Sequence, residues 1–195
     1  MHQMRSIFSG TTSTRPPESL KGLIGVPLRN NIDAMASDKV RQLHTWWMEH
    51  RGATGIPDRS AFDPTRHVRL LPNMIISEAE TAPFRIRYRL VGTRCADILN
   101  IDFTGRYLDT LVDEATHTPW QDYFFESYEK RVPMIGEVTE DTLAGGTFVF
   151  EFGIFPVTAG GADVRQFLCV EDYFDFHLTS AELIPWSLRD AKLSA

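Results

Sequence analysis

The hydrophobic pattern of the chain changes period after residue 73. Val40, Leu43 and Trp47 recur at helical spacing behind Ser37 and Asp38, which suit a helix cap, and the stretch closes on Arg51 and Gly52. This predicts a helix with one apolar stripe and Trp46 beside it. The following TGIPDRSAFDPTRHVRLLPN holds three prolines and an Asp-Pro step, so it predicts a loop with at most one short helix over residues 66–70. From Met74 the period falls to two. NMIISEAE predicts a first strand and FRIRYRLVG a second, in which Phe84, Ile86, Tyr88 and Leu90 alternate against Arg85, Arg87 and Arg89. One face of that strand should be core and the other wet.

Gly92 or Thr93 then opens a short helical stretch, RCADILNIDFTG, and residues 114–130 predict a longer helix that lays Trp120, Tyr123, Phe124 and Tyr128 over the core. Three strands follow, over residues 133–139, 147–157 and 164–174. Their connectors, DTLAGGT and TAGGAD, each carry a glycine pair suited to the positive φ of tight hairpin turns. Two strands, a helical middle and a three-stranded meander contain no strand-helix alternation that would force a parallel sheet. The fold class is therefore α+β with an antiparallel sheet.

Composition narrows the picture. With 195 residues, 43% hydrophobic and 24% charged, one globular core accounts for the chain. Residues 1–36, with SGTTSTRPPES, read as a flexible tail, residues 37–176 as a single domain, and residues 177–195 as a C-terminal extension. That extension contains LIPWSLRD, long enough for a docking helix. A net charge of -6 argues against a nucleic-acid partner. No apolar run reaches the roughly 18–20 residues of a membrane span, and the first 22 residues lack the apolar centre of a signal peptide. The expectation is a cytoplasmic protein with Cys95 and Cys169 as free buried thiols.

The stretch GTRCADILNIDFTGRYLDTL, set between two strands and a long helix with a meander behind it, resembles the PAS domain. In that family a short helix with a small and an apolar residue, here Ala96 and Leu99, leads to a Gly-Arg-x-Leu turn. Here the turn is Gly105, Arg106, Tyr107 and Leu108, continued by Asp109 and Leu111. WWMEHRGATGIPDRSAFDP, LLPNM and YRLVGT make residues 38–174 similar to the bacterial stand-alone PAS family numbered five. The resemblance implies a five-stranded antiparallel sheet with helices on one face and an extra N-terminal helix. Its first two strands pair and its last strand inserts beside the first. FRIRYRLVG then lies at an edge, its arginines facing Glu78 and Glu80 or offering a basic stripe to an acidic partner.

No catalytic or metal-binding signature is present: no GxSxG, no phosphate loop, no HExxH and no GxGxxG opening a helix. Asp109, Asp113 and Glu114 suit a helix start, where negative charge complements the dipole. PAS flavin photosensors use a cysteine in a GxNCRFLQ-type motif, whereas this turn reads Gly-Arg-Tyr-Leu and Cys95 comes several residues too early. Covalent flavin is thereby disfavoured and noncovalent flavin left open. Haem-binding relatives place an axial histidine on the long helix, and His117 is the candidate here.

Phe148, Phe150, Phe152 and Ile154 share one strand face, on which Tyr88, Tyr123 and Phe124 can converge. With Tyr107, His117 and Leu168 they are the candidate contacts for a small apolar or aromatic ligand, oriented by tyrosine hydroxyls. Ordinary core packing is the alternative. The last strand puts Leu168 and Val170 on one side and Phe167 and Cys169 on the other, so both sheet faces are apolar and the second needs a cover. That cover is either the Trp47 helix of the same chain or a second copy, giving a homodimer through the helix or the outer sheet face. Phe167→Glu should then disturb assembly or stability. The function expected is a non-catalytic sensory or regulatory module with a signalling protein partner. The alternatives are a ligand-free scaffold and an enzyme on a cone-shaped fold of the steroid-isomerase kind. A buried acid facing a large cavity opposite a tyrosine would favour the enzyme.

Overall fold

Ser37 starts the first helix, α1 (Asp38–Glu49), by accepting a hydrogen bond from the Val40 amide. The stripe on α1 comprises Val40, Leu43, Trp46 and Trp47, all buried. The computed structural model describes residues 31–99, 101–111, 120–141 and 147–174. Packing begins ahead of the cap, since Met35 is already buried. The stretch after α1 is a loop, as read, without an α-helix over residues 66–70. Single 3-10 turns form instead at Arg59–Ala61, Pro64–Arg66 and Leu71–Asn73. Asp58 and Asp63 cap the first two with their carboxylates, and the proline at 72 disfavours helical geometry in the residue before it.

The strands are β1 (Met74–Thr81), β2 (Phe84–Val91), β3 (Met134–Asp141), β4 (Thr147–Val157) and β5 (Gln166–Tyr173). They form one antiparallel sheet in the order β2-β1-β5-β4-β3, with β5 inserted between β1 and β4 and β2 at an edge. Between β2 and β3 lie α2 (Thr93–Leu99), a 3-10 turn at Leu108–Thr110, and then α3 (Trp120–Lys130). The first residues expected of the long helix, with Asp113, Glu114 and His117, fall outside the described residues, as do most of the tail and the C-terminal extension.

Two local expectations change. The alternation of β2 does not reach Leu90: Ile76 pairs with Leu90 and Ser77 with Tyr88, which leaves Arg89 as an extra residue. This bulge turns Leu90 to the opposite face, where it is 45% exposed. The β4–β5 connection is not a tight hairpin either, because Val157 pairs with Gln166 and residues 158–165 form a longer loop. In that loop Gly160 takes positive φ, and Asp58 accepts hydrogen bonds from Thr158 Oγ1 and the Gly160 amide. Gly92, between β2 and α2, is required by close approach: a Cβ there would lie 2.4 Å from the Pro72 carbonyl oxygen. Gly105 opens the Gly-Arg-Tyr-Leu turn with φ +86 and donates its amide to the Tyr88 carbonyl.

The second apolar face is covered by the chain's own helix. Trp47 donates its indole N–H to the Pro156 carbonyl at 2.8 Å, and the His44 ring meets Phe155 edge-on. Polar anchors fix the start of α1. Glu151, 1% exposed, accepts from the Ala36 and Ser37 amides at 3.0 and 2.7 Å. Its cross-strand partner Asp172 accepts from the Ser37 hydroxyl and pairs with Lys39.

Candidate functional site

The opposite, inner face of the sheet lies under α2 and α3 and encloses a cavity of about 80 Å³. Tyr88 from β2, Phe124 from α3, and Phe150 and Phe152 from β4 line it, with Trp120 at the start of α3 and Tyr173 at the end of β5. Leu99, Phe103, Leu108 and Leu111, from α2 and the chain after it, close the helical side. The rings interlock. Trp120 meets Phe152 edge-on at 4.8 Å and stacks on Phe150 at 6.3 Å. Phe150 in turn stacks on Tyr173 at 4.9 Å, and Tyr88 meets Phe103 edge-on at 4.6 Å.

One acid stands in this aromatic wall. The β4–β5 register pairs Ile154 with Cys169, Phe152 with Glu171 and Phe150 with Tyr173, so the alternation of β5 carries Glu171 to the cavity side. The Tyr173 hydroxyl donates to the Glu171 carboxylate. Burial pushes the Glu171 carboxyl up to about 7, against the lowering effect of that hydrogen bond. The same interior raises its neighbours. Burial first and the Glu171 charge second hold the Tyr88 hydroxyl and the Cys95 and Cys169 thiols above their ordinary values. The thiols thus stay protonated and unreactive.

The structure brings Tyr88, Phe124, Phe150 and Phe152 together at the cavity. Tyr123 is buried behind them and stacks on Phe152 at 5.9 Å. Two candidates lie elsewhere. Tyr107 sits outside β2, donating to Glu80 at 2.6 Å with the Arg85 guanidinium 3.9 Å from its ring centre. Leu168 pairs with Phe155 on the face covered by α1, while Phe167 packs edge-on against Phe124 at 5.0 Å on the inner side. The two sides of β5 are therefore the reverse of the expectation that assigned Leu168 to the ligand and Phe167 to the covered face. The cause is register: alternation says which residues share a side, and only strand pairing says which side is which. His117 and the Phe148 side chain fall outside the described residues.

Glu171 escaped the reading of the sequence, although a signal was present. Phe167, Cys169, Glu171 and Tyr173 form a period-two row in which one charged residue interrupts an otherwise apolar side. The edge arginines are matched locally. Arg85 makes a two-point pair with Asp109 at 2.6 and 2.8 Å, Arg89 reaches Glu78 at 3.5 Å, and Arg87 donates to the Gly105 carbonyl.

The cavity is small. Pockets for drug-sized ligands begin near about 300 Å³, and about 80 Å³ holds only a few non-hydrogen atoms. Among the described residues no group of three His, Cys, Asp or Glu side chains could hold a metal ion, and no helix is long and apolar enough to cross a membrane.

No curated protein matches the chain. The solved structures it resembles include the light-state LOV domain of the blue-light photoreceptor Aureochrome1, at 13% identity over 62% of this chain and 94% of that one, with a TM-score of 0.41. The PAS domain of the fruit-fly ELK potassium channel is 16% identical over 56% of this chain and 94% of that one, with a TM-score of 0.39. An RNA-binding light-oxygen-voltage receptor is 13% identical over 68% of this chain and 37% of that one, with a TM-score of 0.41. At these scores the likenesses carry no weight of their own. A family model described as PAS domain matches residues 35–170, from just before α1 into β5, and by that match the chain belongs to the PAS domain family.

Proposed function

We propose that this PAS domain is a regulatory module that holds a small ligand in the inner cavity, without a catalytic step, and passes its occupancy to a partner protein. The observation that carries this reading is Glu171: packed cores rarely leave voids larger than a water, and rarely leave a carboxyl group in one. A filled interaction scaffold has no use for either feature. The route outward is short. Glu171 faces the cavity, and the next residue, Asp172, holds the start of α1 on the other face through Ser37 and Lys39. A ligand that shifts β5 by a fraction of an ångström alters both ends of that connection. The free buried thiols suit a reducing, cytoplasmic setting. A signalling partner, or a second copy in a homodimer, would meet the outward side of α1, where Met48 is exposed.

Native purification followed by mass spectrometry of the denatured extract tests the proposal. A compound that co-purifies with the wild type and is lost from Glu171→Gln and Phe152→Trp supports it. A clean extract, repeated after incubation with cell extract, moves the protein to the scaffold reading. A second reading, proton abstraction on a steroid-isomerase plan, draws on the same acid and on Tyr88. The PAS strand order and the small cavity speak against it, and incorporation of solvent deuterium into a bound carbonyl compound would revive it.

A further inference from the structure

We infer that the cavity is built for a small organic cation, a methylated or primary ammonium group, held between aromatic faces and the Glu171 carboxylate. This rests on the reading of the cavity as a ligand site and names the chemical class of that ligand.

Charge balance is the first argument. A carboxylate half-buried among aromatic rings loses part of its hydration, which is costly unless a cation or several hydrogen-bond donors meet it. Among the described residues, Glu171 receives only the Tyr173 hydroxyl on its side chain, and no Lys, Arg or His acts on it. The titratable groups that do face it are Tyr88 from β2, Cys95 from α2 and Cys169 from β5 itself, each held above its ordinary value and so uncharged near pH 7, and the Tyr173 hydroxyl that donates to it. The β4 and α3 residues that line the cavity, Trp120, Phe124, Phe150, Phe152, Gly153 and Ile154, carry no charge. Asn73 donates to the Glu171 backbone carbonyl and leaves the carboxylate alone.

The second argument is the wall. Tyr88, Phe103, Trp120, Phe150 and Tyr173 line the same space, and aromatic rings attract a cation that meets one of their faces. An anion would be repelled by the rings and the carboxylate together. A neutral apolar guest would exclude water from Glu171 and give it no partner. A cation satisfies both parts of the wall, and about 80 Å³ limits it to a head group of a few heavy atoms. Such a guest also favours the ionised form of Glu171, whose carboxyl titrates at about 7, so binding near neutrality releases a proton.

Calorimetry with the wild-type chain separates the possibilities, using methylammonium, tetramethylammonium and choline against 3,3-dimethylbutan-1-ol, which copies choline's shape without its charge. We expect at least one cation to bind about tenfold or more tighter than the alcohol. That affinity should rise from about pH 6 to about pH 8 with a measurable proton release, and Glu171→Gln should erase the preference. The pH series and the alcohol control use the unmodified protein, so a variant that fails to fold leaves the test intact. Equal or tighter binding of the alcohol overturns the cation inference while the cavity remains a ligand site. Binding of none of the four overturns it as well, and a clean mass-spectrometric extract then removes the ligand-site reading too.

Discussion

On the outer face of the sheet both acids of the paired strands are matched: Glu151 takes the amides of Ala36 and Ser37, and Asp172 takes the Ser37 hydroxyl and Lys39. On the inner face, one residue before Asp172, Glu171 has a tyrosine hydroxyl and a ring of aromatic side chains. The same kind of side chain thus does two jobs within a single strand. Outside, carboxylates with a full set of donors dock a helix and complete the fold. Inside, a carboxylate with one hydroxyl donor beside an open space costs stability.

The contrast can be broken from the outer side first. Trp47→Ala removes a buried ring and its hydrogen bond to Pro156 and should cost about 4 kcal/mol, seen as a fall of roughly 10 °C in melting temperature. Unchanged stability would mean that α1 does not hold the outer face.

The inner side is tested by pH. Because the folded Glu171 carboxyl lies above its ordinary value, the native state binds more protons than the unfolded chain between about pH 4.5 and about pH 7. Its contribution to stability therefore falls as pH rises through that window and is flat above it. Glu171→Gln should flatten the profile and gain up to about 3 kcal/mol at pH 8. A profile that matches the wild type would show that Glu171 is not desolvated.

Glu151→Gln keeps the shape but weakens two charge-assisted bonds on the outer face. A loss of about 2 kcal/mol by denaturant titration is expected, the opposite sign from the Glu171 variant. The two glutamines together thus measure the difference between the faces. Arg85→Ala lies on the edge, on neither apolar face, and its exposed pair with Asp109 should be worth less than about 1 kcal/mol. A larger loss would mean that the edge stripe, with Tyr107 beneath it, supports the Gly-Arg-Tyr-Leu turn more than surface ion pairs normally do.

Much of the architecture was legible in the residues. Ser37 and the Val40, Leu43 and Trp47 spacing located α1, the arginine alternation located β2, and the Gly-Arg-Tyr-Leu turn with its flanking strands pointed to the family. The candidate site was legible in part. Tyr88, Phe124, Phe150 and Phe152 converge as anticipated. Tyr107 does not, because its neighbours Gly105 and Arg106 pair with the outer edge of Tyr88 and carry the ring to the Arg85 and Glu80 side of the sheet. The bulge at Arg89 was hidden for a similar reason, since nothing in the alternating run marks the residue that its partner strand leaves unpaired.

Local spacing, read along one strand or helix at a time, determined the elements, their order and the sets of residues that share a side. It could not determine which side of β5 meets the aromatic strand β4, that α1 rather than a second copy lies over the other side, or that Glu171 ends inside the cavity. Those outcomes depend on the register between strands and on contacts between segments more than a hundred residues apart, such as Ser37 with Asp172. Side-chain alternation has a period of two, so a shift of one residue in that long-range pairing exchanges the faces completely, and only the assembled sheet decides between them.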